Sequence, residues 1–209
     1  KIKRLFRYRL SLNLSVTPCL GGNTFTQSDY LFDKFFKKQN SETVKKLPIG
    51  IQTFSEIITG NYYYVDKTNI ITDLYQNGKY YFLSRPRRFG KSLFLDTLKE
   101  AFEGNKVLFA GLYLENNWDW EKKHPVIRID FGGGQLRHAS ELDQKITEIL
   151  NEHTDKFSIL FKNESISGKF RELIMALEKK YSQKVVILVD EYDKPILDNI
   201  TEKEIARGM

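Results

Sequence analysis

The sequence predicts an α/β protein whose mainly parallel sheet is flanked by helices, and three observations carry that prediction. Short apolar runs alternate with segments of helical period. One run, residues 80–83, leads through a polar loop into Gly90-Lys91-Ser92 and then into a helix. Another, residues 184–191, reads KVVILVDE, aliphatic residues that end in Asp190 and Glu191. An uninterrupted aliphatic run of that length suits a parallel strand buried on both faces.

In chain order, Lys1, Lys3, Arg4, Arg7 and Arg9 precede a mildly apolar stretch that imitates a secretory leader. Asn13, Ser15 and Pro18 interrupt it, and no small-residue cleavage site follows. No Met precedes Met175, so Lys1 is not expected to be a natural start. Residues 1–46 are expected to form a poorly structured extension, and residues 47–209 the domain. Within the domain, Thr53 and Glu56 have capping-box spacing, which predicts a short helix over 54–59 closed by Gly60. Residues 62–65 read as a strand. Residues 67–76 read as a helix capped by Asp66, with Ile70, Ile71 and Leu74 inward and Asn77-Gly78 as its stop.

Residues 79–102 read KYYFLSRPRRFGKSLFLDTLKEAF. Tyr80, Tyr81, Phe82 and Leu83 are β-prone, and after Ser92 the residues Leu93, Phe94, Leu98, Ala101 and Phe102 share one side of a helix, with Gly104 at its end. Strand, loop and helix in this order suit a phosphate. The first helical turn has N–H groups without internal partners and the positive end of the macrodipole. Gly90 lets the backbone come close, Lys91 reaches terminal phosphates, and the Ser92 hydroxyl is a candidate magnesium ligand. Arg87, Arg88, Phe89 and Leu93 complete the candidate binding loop, the two arginines adding charge. The common pattern has a glycine five residues before Gly90, where this chain has Arg85, and Pro86 restricts the backbone further.

Beyond that helix, Trp118 and Trp120 sit in a loop where packing is the simpler role than base stacking. The segment PVIRIDF, residues 125–131, reads as a strand ended by three glycines, with Asp130 in a turn or packing role or facing a nucleotide. Ser140 is expected to cap a helix running through His153, supported by Asp143. Phe170, Leu173, Ile174, Leu177 and Tyr181 form the stripe of a further helix leading into the acidic strand. At the end of that strand Asp190 is positioned to hold a metal, directly or through water, and Glu191 to polarise the water that attacks a γ-phosphate. Gly-Lys-Ser and Asp-Glu, in this order and at this separation, point to a P-loop NTPase. Asp66 has a sharper reading as well, in a segment lining the base pocket.

Four blocks make the resemblance more specific: Leu47-Pro48-Ile49-Gly50, Tyr64-Val65-Asp66-Lys67-Thr68, Arg85-Pro86-Arg87-Arg88-Phe89-Gly90-Lys91-Ser92 and Asp190-Glu191-Tyr192-Asp193-Lys194-Pro195. They resemble the signature blocks of the AAA-ATPase-like family, found mostly in bacteria. In that family the loop is similarly written, so Arg85 in place of glycine resembles a family trait. The resemblance covers residues 47–199. It implies ATP and Mg2+ as ligands, with Lys91 and Ser92 on phosphate and metal, Asp190 on metal and Glu191 as base or water-positioner. It also implies that a further strand, later in sequence than the acidic one, is inserted between that strand and the phosphate-loop strand. The chain is therefore expected to be incomplete, and residues 80–83 to lack that partner. Members are commonly fused to a restriction-endonuclease-like domain, a possible partner in a longer parent.

Composition bounds the rest. With 209 residues and 41% hydrophobic content there is material for one sizeable core. A net charge of +6 argues only weakly for nucleic acid, which is at most an indirect partner. The single Cys19 excludes an internal disulfide framework and suits a reducing compartment, with the cytoplasm the expected location. His124, His138 and His153 lack zinc-like spacing, and no apolar run has membrane-spanning length. The leading expectation is an ATPase module driving a domain outside this chain. Its alternatives are a nucleotide-sensing module without turnover and, more remotely, direct nucleic-acid binding. No second carboxylate-and-lysine cluster supports nuclease chemistry in this chain.

Overall fold

The computed structural model describes residues 45–84, 86 and 88–200. The expected extension, including Cys19, lies outside them except for Lys45 and Lys46, as do Arg85, Arg87 and residues 201–209. Lys46 forms a parallel bridge with Tyr62, and its carbonyl accepts from Tyr63 N–H at 2.8 Å.

Helices α1 (Phe54–Thr59), α2 (Asn69–Asn77) and α3 (Lys91–Phe102) come first. Two 3₁₀ turns, Lys106–Phe109 and Tyr113–Glu115, lead to strand β1 (Val126–Asp130). Helices α4 (Ala139–Phe157) and α5 (Ile166–Tyr181), strand β2 (Val186–Asp190) and the short helix α6 (Lys194–Asp198) follow. Among the described residues the sheet consists of β1 and β2, parallel, with Val126 opposite Val186 and Asp130 opposite Asp190.

Alternation along the strands separates two apolar cores. Val126 and Leu188 face the first, where Phe54, Ile71, Phe94, Leu98, Ala101, Phe102, Phe109 and Leu114 meet. Trp118 and Trp120 pack against it, Trp118 edge-on to Tyr75 and Phe102, Trp120 against Phe109. Ile127 points the other way, onto Leu150, Phe157, Leu173 and Leu177 of α4 and α5. Helices thus lie on both faces of a parallel pair, the layering expected of an α/β protein. The three described histidines include two that are buried and tied to backbone: His124 Nδ1 is 3.0 Å from the Lys184 carbonyl, and His153 Nε2 is 2.9 Å from that of Arg128.

Several expectations need correction. Residues 80–83 form no strand, and Tyr80 is 94% and Phe82 70% exposed. Aromatic, β-prone residues make a ladder only where a neighbour supplies N–H and C=O partners, and among the described residues none runs beside them. Residues 62–65 likewise have only the bridge to Lys46. Strand β2 is buried on one face, not two: Leu188 and Asp190 are covered, while Ile187 and Val189 remain exposed. Thr53 makes no side-chain cap, and the Phe54 N–H at the start of that helix is satisfied by Asp96 Oδ2 at 2.7 Å. The cap position of α4 is His138 rather than Ser140, and the Glu141 carboxylate receives the N–H groups of Arg137 and His138. Helix α2 begins at Asn69, two residues after the expected start.

Candidate functional site

The candidate phosphate side is the start of α3. Gly90 precedes the helix with φ 74° and ψ 29°, in the left-handed region that glycine enters without penalty. A Cβ there would meet no atom within 4 Å, so the backbone angle, not crowding, selects the residue. Arg88, at φ 68°, is also left-handed, which curls the loop just before the helix. The first bond of α3 runs from Phe94 N–H to the Gly90 carbonyl at 3.0 Å. Helix geometry therefore gives the N–H groups of Lys91, Ser92 and Leu93 no partner within α3. Lys91, Ser92 and Leu93 are half-buried, whereas Arg88 and Phe89 are exposed. Among the described residues neither Lys91 nor Arg88 has a carboxylate at ion-pair distance. Arg87 lies outside the described residues.

The acidic side is the carboxyl end of the sheet. Asp190 is nearly buried, at 5% exposure. Its Oδ1 accepts the Glu191 N–H at 3.1 Å, and its Oδ2 is 3.7 Å from Arg128 Nη2. Arg128 Nη1 donates to Asp96 Oδ1 at 3.1 Å, and Arg128 Nη2 is 3.8 Å from Asp130 Oδ2. Asp96 is four residues beyond Ser92 on α3, one turn along the same face. The chain Asp96, Arg128, Asp190 therefore ties the helix that begins at Lys91 to the strand end bearing the acids, and α3 packs directly on β2.

Glu191 is held by the turn after β2. Its φ of 50° ends the strand, and its carbonyl accepts from Lys194 N–H at 3.0 Å. The carbon stem of Glu191 lies over Gly132: a Cβ at 132 would come within 3.8 Å of Glu191 Cγ and within 2.9 Å of Asp130 Oδ1. Asp130 Oδ1 itself accepts the Gly132 N–H at 2.7 Å, the turn role. The loop after β1 is stitched to α6 on the far side. Lys194 Nζ pairs with Asp198 Oδ2 at 2.6 Å and donates to the Gly134 carbonyl, while Asp198 also accepts the Leu136 N–H and Asn199 Nδ2 donates to the Leu136 carbonyl. Phe82 meets Tyr192 edge-on at 5.6 Å, which brings the segment feeding the phosphate loop beside the residue after Glu191.

Asp66 is engaged structurally. Its Oδ1 accepts both the N–H and the hydroxyl of Thr68 at 2.8 Å, and its Oδ2 accepts the Tyr113 N–H at 2.7 Å. Burial pulls this carboxyl upward, but the hydrogen bonds from Thr68 and Tyr113 outweigh it, and its pKa lies below the usual carboxylate value. Both oxygens are thus occupied in starting α2 and in pinning the second 3₁₀ turn. Sequence reasoning missed Asp96 and Arg128. The available signals were a carboxylate among the apolar positions of α3 and a cation alternating with Asp130 in PVIRIDF.

A hydroxyl and a carboxylate are the hard oxygen donors that Mg2+ prefers, so Ser92 and Asp190 fit that ion chemically. Among the described residues no three His, Cys, Asp or Glu side chains group into a self-sufficient metal site. Water and phosphate oxygens would therefore have to supply the remaining ligands.

No helix among the described residues is long and apolar enough to cross a membrane. A family model described as Predicted AAA-ATPase (AAA-ATPase-like) matches residues 48–209. A protein of Azotobacter chroococcum mcd 1, described as an uncharacterized protein in the vnfD 5' region, is 55% identical over 164 residues, covering 78% of this chain. The chain spans 32% of that relative's length. No solved structure matches. On a family match that takes in most of its length, the chain belongs to the AAA-ATPase-like family.

Proposed function

We propose that the chain is a nucleotide-binding module that takes ATP with Mg2+ and hydrolyses its γ-phosphate, with output to a domain outside this chain. The observation that carries the reading is the tie between Asp190 and α3 through Arg128 and Asp96. It gives one sheet end both a helix amino terminus opened by a left-handed glycine and a buried carboxylate.

In this reading Lys91 neutralises terminal phosphate charge, and the N–H groups of Gly90, Lys91, Ser92 and Leu93 donate to phosphate oxygens. Arg87, Arg88 and Phe89 flank the phosphates. The Ser92 hydroxyl and Asp190 would hold Mg2+, which would neutralise charge on the β- and γ-phosphates. Glu191 orients a water in line with the γ-phosphate and takes its proton. Lys91 makes no ion pair among the described residues, which supports giving its charge to a ligand.

Titration with fluorescent ATP, with and without Mg2+, tests the reading. Binding is expected to depend on Mg2+ and to weaken about 10- to 100-fold in Lys91→Ala, the loss of one or two charge-assisted hydrogen bonds. Equal affinity in wild type and Lys91→Ala would exclude this site. A second reading, nucleotide sensing without turnover, is favoured by residues 80–83, which lead to the phosphate loop and among the described residues pair with no strand. Clear ATP affinity with no phosphate release from the full-length parent would select it.

A further inference from the structure

Arg128 stands where a cation would otherwise be drawn. Three carboxylates face its guanidinium from three elements: Asp96 from α3 at 3.1 Å, Asp130 from β1 at 3.8 Å and Asp190 from β2 at 3.7 Å. The grip is unequal. Asp96 is hydrogen-bonded to the guanidinium and is itself fixed by the Phe54 N–H. Asp190 and Asp130 lie beyond hydrogen-bond distance, held by charge alone. The backbone behind Arg128 is fixed as well, because its carbonyl accepts from His153 and its strand pairs with β2. Arg128 is thus a half-buried positive charge anchored at one end on Asp96, with its other nitrogen turned toward the proposed metal ligand.

Such a charge has two effects on Asp190. It attracts the carboxylate toward the α3 side of the sheet, and it repels a free divalent cation approaching the same oxygens. A triphosphate brings several negative charges to the start of α3 and reverses the balance. We propose that Arg128 is a positioning residue for Asp190 that acts as an internal counter-charge, making divalent-cation binding conditional on the nucleotide. This rests on the assignment of Asp190 to the metal in the proposed function. Asp96 transmits the effect, since it fixes the guanidinium relative to the helix that carries Ser92.

The test is Mn2+ binding to the full chain without nucleotide, read by electron paramagnetic resonance, in wild type, Arg128→Gln, Arg128→Lys and Arg128→Gln/Asp190→Asn, with folding checked by circular dichroism. Arg128→Gln is expected to bind Mn2+ at least tenfold more tightly than wild type. Arg128→Lys, which keeps the charge, should stay near wild type, and Asp190→Asn should remove the gain. No gain in a folded Arg128→Gln, or a gain that survives Asp190→Asn, overturns the proposal, as does Arg128→Lys behaving like Arg128→Gln. A purely structural Arg128 would lower stability without creating a cation affinity that depends on Asp190.

Should Arg128→Gln fail to fold, Mn2+ broadening of the Arg128 Nε–H resonance in wild type decides the matter. Broadening only when a non-hydrolysable ATP analogue is present supports the proposal; equal broadening by Mn2+ alone overturns it. Parallel titration with the analogue separates the two levels of failure. Triphosphate binding without the Mn2+ pattern sinks the Arg128 role alone, and absence of triphosphate binding sinks the functional reading and the role together.

Discussion

Asp190 ends β2 and Lys91 begins the helix tied to it through Arg128 and Asp96, yet the fold treats their surroundings differently. Around Asp190 the polar groups are linked: Glu191 N–H, Arg128, Asp96 and Phe54 N–H form one connected series. On the Lys91 side the described residues are largely exposed: Tyr80 and Phe82 in the segment before the loop, Arg88 and Phe89 within it, with no carboxylate paired to the lysine among the described residues. The acidic side draws its geometry from packing and buried charge. The phosphate side draws its geometry from one helix start and a few backbone angles. Substitutions on the acidic side should therefore register in stability as well as chemistry, and those on the phosphate side in ligand affinity.

Four substitutions probe that contrast, in order of decreasing effect. Glu191→Gln should reduce phosphate release by about 10²- to 10⁴-fold, the range for loss of a general base, while leaving ATP affinity within a few-fold. Normal turnover in a coupled phosphate assay would remove Glu191 from the chemistry. Asp96→Ala should destabilise the fold by about 3 kcal/mol in urea unfolding, since it strands a half-buried guanidinium and the Phe54 N–H. A loss below about 1 kcal/mol would mean that the acidic side is less committed than its hydrogen bonds imply.

Asp66→Asn should cost about 1 kcal/mol at neutral pH by weakening the set of bonds from Thr68 and Tyr113. Because folding lowers the Asp66 pKa, its contribution is present above the unfolded value and lost as pH falls through the folded one. The stability curves of wild type and variant should then converge below about pH 4. A gap that persists unchanged as the pH falls well below that value would contradict the assignment. Phe82→Ser should change stability by no more than about 0.5 kcal/mol, as expected for an exposed side chain. A larger loss would show that the phosphate side is not open, and that its ring contact with Tyr192 bears weight.

The sequence made the helices legible where apolar stripes were long: α2, α3 and α5 form over the stretches their periodicity marks, and β1 and β2 where aliphatic runs meet turn residues. It misled at residues 62–65 and 80–83, because β propensity describes a fit to a neighbouring strand and says nothing of whether that neighbour is there. It misled at Thr53, whose side chain makes no capping bond, and at Ser140, because the helix starts earlier, at the His138 cap position. For the candidate site, Gly90 and the acidic strand end could be read from local motifs. The Arg128 bridge could not, since it depends on which face of β1 meets which face of α3. The family match agrees with the resemblance read from the motif blocks, while the individual roles given to Lys91, Ser92, Asp190 and Glu191 remain proposals for the experiments above.

The left-handed turn at Glu191 sets two requirements on one position. A backbone at φ 50° suits glycine, and any side chain there holds the main chain roughly 1 kcal/mol above its relaxed state. Shape alone would favour deleting the side chain; retaining a carboxyl means that the strand end keeps a small conformational tension. A glycine at this point should give a firmer protein; if the proposed role of the carboxyl holds, thermal tolerance and turnover then part company at a single residue.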